Sequence, residues 1–254
     1  MQKDVVLSMR KICKAFPGVR ALQNVDFTLL KGEIHALMGE NGAGKSTLIK
    51  VLTGVYPKDS GQIFLAGINK EVNVKSPQEA QNLGISTVYQ EIALCPNLTV
   101  AENIFIGRGN YRFVNWRSIE KKTTEILEKL NIPARATQQL ATCSIAVQQM
   151  VAIARAVDMD CKVLILDEPT SSLDEQEVAK LFSLMRELKS RGVSIIFITH
   201  FLDQVYEICD RITVLRNGEL VGEYEIKDLP RVQLISKMMG KELDDISTLH
   251  NRPL

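Results

Sequence analysis

Gly39-Glu40-Asn41-Gly42-Ala43-Gly44-Lys45-Ser46-Thr47 stands between the apolar run 34–38 and the helical run LIKVLTG. The stretch fits G-x-x-x-x-G-K-[ST] in the strand, turn and helix setting that gives this pattern its meaning. Its glycines let the backbone curl until successive N–H groups point at phosphate oxygens, and the following helix adds its positive end. Lys45 then carries a point charge toward the β- and γ-phosphates of a nucleotide, and the Ser46 hydroxyl can ligate magnesium. A Gly-rich turn that merely contains Lys-Ser is the plain alternative, and the flanking strand and helix weigh against it. The nucleotide-binding set read from this stretch is Gly39, Asn41, Gly42, Ala43, Gly44, Lys45, Ser46 and Thr47.

Phosphate chemistry also needs an acidic site, and Lys162-Val163-Leu164-Ile165-Leu166-Asp167-Glu168 supplies one. It reads as a buried strand ending in two carboxylates, which alternation along the strand points in different directions. Asp167 is placed to bind magnesium, directly or through water, and Glu168 to polarise the attacking water as general base. Alone, an apolar run ending in Asp-Glu is usually a strand reaching solvent. The phosphate loop upstream changes that reading.

Outward from these two motifs, short apolar runs at 34–38, 85–89, 163–166 and 193–198 alternate with longer helical patterns, as in a sheet covered by helices. Runs at 5–12 and 22–29 alternate well enough for an antiparallel pair. Runs at 212–215 and 220–224 flank Asn217-Gly218, a strong hairpin signal. Between Gln90 and Asp160 strand signals vanish, and helical patterns appear at 100–106, 118–130 and 144–157. The expected fold is α/β, with a phosphate-loop core over 1–90 and 158–240, an N-terminal antiparallel β subdomain, and a helical subdomain inserted at 91–157. Residues 241–254 read as a tail or the start of a linker.

Composition bounds the rest. With 31 basic and 30 acidic residues among 254, the charge balance gives no electrostatic argument for nucleic acid as the main partner. Cys13, Cys95, Cys143, Cys161 and Cys209 show no C-x-x-C spacing and are odd in number, so a reducing compartment is expected rather than a zinc site or a disulfide framework. No stretch approaches the roughly 18 consecutive apolar residues of a membrane span, and MQKDVVLSMRK lacks a signal-peptide apolar region. A cytoplasmic chain is expected, with any membrane role requiring a partner.

Six motifs in order make the chain resemble the ATP-binding cassettes of ABC transporters over nearly its whole length. They are Phe16, the phosphate loop, Val88-Tyr89-Gln90, Glu168-Pro169-Thr170, Ser171-Ser172-Leu173-Asp174, and Ile198-Thr199-His200. The resemblance implies that Phe16 stacks on adenine, that Gln90 senses magnesium and the attacking water, and that His200 contacts the γ-phosphate. Together with the motif readings it makes Glu168, His200, Gln90 and Lys45 the catalytic set, Ser46, Gln90 and Asp167 the magnesium set, and ATP with Mg2+ the ligands. A lone Phe before a strand is otherwise a core residue, and a lone His after one a boundary residue. The stretches FPGVRAL and THFLDQVYEICDRITVLRNGELVGE further resemble the N-terminal cassette of bacterial monosaccharide importers, galactofuranose importers most of all, whose ATPase subunits carry two cassettes in tandem.

One motif departs from the family. Cassettes close head to tail, each nucleotide lying between one phosphate loop and the partner's LSGGQ signature. The matching positions here are Cys143, Ser144, Ile145, Ala146 and Val147, so only the serine survives. Ala146 adds a methyl and restricts φ where a glycine would let the backbone approach phosphate, and Val147 removes an amide. Either backbone N–H groups and Ser144 suffice, or the intact loop depends on the signature of a second cassette.

The resemblance also implies permease partners and, through them, a periplasmic sugar-binding protein, with the chain peripheral on the cytoplasmic face of the inner membrane. The segment after Gln90 would form the groove for a permease helix, with Phe105, Tyr111, Phe113 and Trp116 as groove or rim residues, or as subdomain core. Two rival readings are a soluble ABC ATPase acting on nucleic acid or ribosomes, against which the neutral charge counts, and an ATP-sensing cassette with little hydrolysis.

Overall fold

The computed structural model describes residues 4–68, 70–90, 93–108 and 115–240. Two sheets organise them. β1 (Val5–Phe16), β2 (Val19–Leu30) and β4 (Ser60–Leu65) form an antiparallel sheet in the order β2-β1-β4. The second sheet has six strands in the order β5-β6-β7-β3-β8-β9. Its members are β3 (Ile34–Met38), β5 (Ile85–Val88), β6 (Val163–Asp167), β7 (Ser194–Ile198), β8 (Arg211–Arg216) and β9 (Glu219–Glu225). Every pair is parallel except the β8–β9 hairpin.

The expected strands all form, and the hairpin turns at Asn217 and Gly218, whose φ values of 51° and 78° suit the tight primed turn read from Asn-Gly. β4 was not foreseen. Its sequence, SGQIFL, is short and begins polar, and its outward residues are only partly covered.

Alternation along the central strands explains the layers. Leu164 and Leu166 of β6, Ile195 and Phe197 of β7, and Ile34, Ala36 and Met38 of β3 enter one core. Val163, Ile165, Ile196, Ile198 and Leu37 enter the other. Both faces are therefore apolar, as a parallel sheet between two covers requires. One cover holds the antiparallel sheet and α1 (Lys45–Leu52). The other holds α3 (Val100–Phe105), α4 (Trp116–Lys129), α5 (Ile145–Val157), α6 (Glu175–Ser190), α7 (Leu202–Ile208) and α8 (Arg231–Met239). A short helix, α2 (Pro77–Asn82), precedes β5 and is capped by Ser76, whose oxygen accepts from the Glu79 N–H at 3.2 Å.

Among the described residues, strand structure between β5 and β6 is limited to an isolated bridge between Thr99 and Gln139. α3 begins with a capping box in which Thr99 and Glu102 satisfy each other's backbone N–H groups. All five cysteines are free, and no helix of the described residues is long and apolar enough to cross a membrane.

Candidate nucleotide site

The sheet order brings β6, β7 and β3 side by side, so the segments leaving their carboxyl ends meet at one edge. This is where ligands bind in open α/β sheets. The phosphate loop leaves β3, the acidic pair ends β6, and Thr199-His200 follows β7.

The loop's glycines are conformationally required. Gly39 has φ 153° and a Cβ there would lie 2.3 Å from the Leu215 carbonyl oxygen; Gly44 has φ 103° and a Cβ there would lie 2.7 Å from that of Ala21. Gly44 caps α1, and Lys45 is the helix's first residue. The Lys45 ammonium donates to the carbonyls of Gly39 at 2.7 Å and Glu40 at 3.0 Å, folding the side chain back over the loop. Burial holds it below the usual lysine range, against the pull of Glu168 and Asp167. On the other wall, burial raises the Asp167 carboxyl, and the neighbouring Glu168 charge adds to that; Lys45 and Lys50 oppose without cancelling. A divalent cation or a bound magnesium phosphate would reverse the balance at Asp167.

Glu168 has φ 48°, an uncommon value for a residue with a side chain, and it is fixed by its N–H donating to the Ile198 carbonyl at 2.9 Å. That turn carries its carboxylate toward the next strand, where Oε2 lies 3.6 Å from His200 Nδ1. The His200 ring stands 4.0 Å from the Phe201 ring and is otherwise mostly open to solvent.

Between these groups lies a cleft of about 580 Å³, lined by residues 41–47 of the loop together with Asp167, Glu168 and Ile198. Ser46 and Asp167 thus face one space, and a hydroxyl with one carboxylate is the kind of donor set that magnesium takes when phosphates and water complete its shell. Val19, Arg20, Ala21 and Asn217 also line the cleft and were not anticipated. Asn217 reads in sequence as a hairpin residue only. It reaches the site because β8 pairs with β3, and because Gly218 N–H donates to Ala43 at 3.1 Å.

Other expected residues lie farther out. Phe16 ends β1, packs edge-on against Tyr56 at 5.2 Å and stays partly exposed, but it does not line the cleft. Gln90 is exposed just past β5. Phe105 is half-buried against the core and Trp116 is exposed, whereas Tyr111 and Phe113 lie outside the described residues.

The signature positions lead into α5. Ser144 caps α5, its hydroxyl accepting from the Val147 N–H at 3.4 Å. Ala146 lies inside that helix, has no positive φ, and is buried, so its methyl neither strains the backbone nor projects outward. Ile145, the first residue of the helix, is 49% exposed.

The description "ABC transporter" covers a family whose sequence pattern matches residues 22–171, a stretch running from β2 to the turn after Glu168. The chain belongs to this family. The galactofuranose transporter ATP-binding protein YtfR of Escherichia coli K12 is 55% identical over 245 residues, covering 96% of this chain and 49% of that protein. The fructose import ATP-binding protein FruK of Bifidobacterium longum is 49% identical over 251 residues, covering 97% of this chain and 48% of that protein. The chain thus spans about half the length of the curated relatives it matches. Among solved structures, an ATP-binding cassette of an ABC transporter in its ADP conformation superimposes with a TM-score of 0.80 at 27% identity, covering 96% of this chain and 98% of that one. The ABC transporter cassette fold is therefore matched over 96% of the chain.

Proposed function

We propose that this chain is an ATP-binding and ATP-hydrolysing cassette that powers monosaccharide import, working in a head-to-tail pair with a second cassette. The observation that carries the reading is the convergence of loop, Asp167 and Glu168 on one cleft, with His200 beside Glu168. Residues 39–47 hold the triphosphate, Lys45 turning from the loop carbonyls to the β- and γ-phosphates. Ser46 and Asp167, with Gln90 from the end of β5, hold Mg2+, which supplies charge neutralisation at the phosphates. Glu168 takes the proton of the attacking water, and His200 beside it meets the γ-phosphate. Phe16, close to the cleft-lining Val19, offers a face to adenine.

The sugar assignment rests on relatives whose names specify galactofuranose and fructose import. Their double length and the departure from the signature at 143–147 support a second cassette as partner. Permease subunits at the cytoplasmic face of the inner membrane, and through them a periplasmic binding protein, complete the assembly. The helices between β5 and β6 form the subdomain that meets the permease.

Mg-ATP titration calorimetry tests the binding half of this reading. Lys45→Ala removes the charge facing the phosphates and lowers ATP affinity by about tenfold or more, the equivalent of roughly 1.4 kcal/mol. Unchanged affinity would count against the assignment.

A further inference from the structure

Behind Glu168 and His200, out of reach of the cleft, one side chain joins the two segments that carry them. Gln204 of α7 accepts a hydrogen bond at Oε1 from the Thr170 hydroxyl at 2.7 Å, and from the Thr199 hydroxyl at 3.4 Å. Both threonines are 3% exposed, so their hydroxyls depend on protein partners rather than bulk water. Thr170 lies two residues after Glu168 and Thr199 immediately before His200.

Each threonine also fixes its own turn. The Thr199 hydroxyl accepts from the Phe201 N–H at 3.1 Å, closing a turn around His200. The Thr170 carbonyl accepts from the Leu173 N–H at 3.2 Å, starting the turn that runs to Asp174 and the capping box of α6. Only one backbone bond, Glu168 N–H to Ile198, ties these two exits directly.

We propose that Gln204 is a positioning residue: by accepting from Thr170 and Thr199 at one oxygen, it sets the spacing of Glu168 and His200. It also ties the 171–174 turn to the histidine, so that movement of that turn is felt at His200. The inference rests on the hydrolytic reading above, in which Glu168 acts on the attacking water and His200 on the γ-phosphate. Neither motif pattern nor cleft lining points to Gln204. Its role follows from three hydroxyl and carbonyl positions that only the fold brings together.

The test uses Gln204→Leu, which removes the acceptor at similar volume, and Gln204→Glu, which keeps an acceptor oxygen. Two readouts are taken: steady-state hydrolysis in the two-cassette assembly, and the NMR signals of the His200 ring in the full chain, assigned with His200→Ala. The His200 ring feels the ring current of Phe201 at 4.0 Å. Gln204→Leu is expected to lower kcat about tenfold with KM for ATP within about twofold, since small misplacements of a reacting group are costly while binding is untouched. It also moves the His200 signals toward those of a free histidine. Gln204→Glu restores both.

Wild-type kcat and His200 signals in Gln204→Leu, or a Glu variant as impaired as Leu, would overturn the proposal. Should the Leu variant fail to fold, Thr170→Val removes the shorter of the two bonds from its other end and carries the same expectations. If the wild-type assembly hydrolyses nothing, the functional reading falls, and the His200 signals still decide whether Gln204 holds the histidine.

Discussion

Glu168 stands in a left-handed backbone conformation with its carboxylate beside His200, an arrangement that costs about 1–3 kcal/mol and persists where surrounding bonds enforce it. A glutamine at 168 keeps the shape and the hydrogen bond from its backbone N–H but cannot accept a proton. Glu168→Gln is therefore expected to bind Mg-ATP as tightly as the natural chain while losing about 10²–10⁴ in turnover within the two-cassette assembly. Phosphate release at the natural rate would remove Glu168 from the role. At the signature, the exposed Ile145 and the buried Ala146 make different predictions. In a Glu168→Gln background, Ile145→Gly should increase ATP-dependent homodimer on size exclusion more than Ala146→Gly does, because Ile145 is exposed at the start of α5 while Ala146 is buried. The loop and the acidic pair were legible because local spacing dictates their chemistry. Asn217, Arg20 and Gln204 were not, since each reaches its place through pairing between distant segments.

Among the elements, β3 does the most to position the site, and its first residues carry a buried polar cluster. Glu33 accepts from the Leu30 N–H at 2.6 Å and from Arg211 at 3.0 Å, while His35 lies between Glu33 at 3.2 Å and the Thr213 hydroxyl at 2.7 Å. Burial holds the His35 imidazole below the usual histidine range despite Glu33. For Glu33, burial raises the carboxyl, but His35, Leu30 and Arg211 outweigh it and leave it below the usual range.

Both directions have the same consequence for stability. As pH falls below about 6.5, an unfolded chain protonates its histidine while folded His35 resists, so stability present above that pH is lost. A second loss begins below about 4.5, where unfolded Glu33 takes up a proton that the folded carboxylate refuses. Urea unfolding should show decreasing stability from pH 7 to 5, and His35→Gln should flatten that slope while lowering stability at pH 7. An unchanged slope would mean that the cluster does not titrate as described. The strands of the central sheet were legible because both faces are apolar. β4 and α2 were not, being short and held by tertiary contacts more than by pattern.

The cleft is lined by the phosphate loop and the acidic pair, and the residues at 143–147 depart from the family's signature, in a chain that spans about half the length of its curated relatives. A homodimer would have to close both sites with the divergent 143–147 segment, where donors matter most because charge develops at the γ-phosphate in the transition state. The fold class was legible from the alternation of strands and helices, and the departure at 143–147 from the residues themselves. That Ile145 is exposed and Ala146 buried required the helix itself.

The direct measurement is phosphate release from Mg-ATP by the purified chain, alone and titrated with a second cassette that carries an intact Leu-Ser-Gly-Gly signature. The account predicts little release from the chain alone and a saturating increase as the second cassette is added, abolished by Glu168→Gln in this chain. Brisk hydrolysis by the chain alone, unaffected by the added cassette, would contradict it.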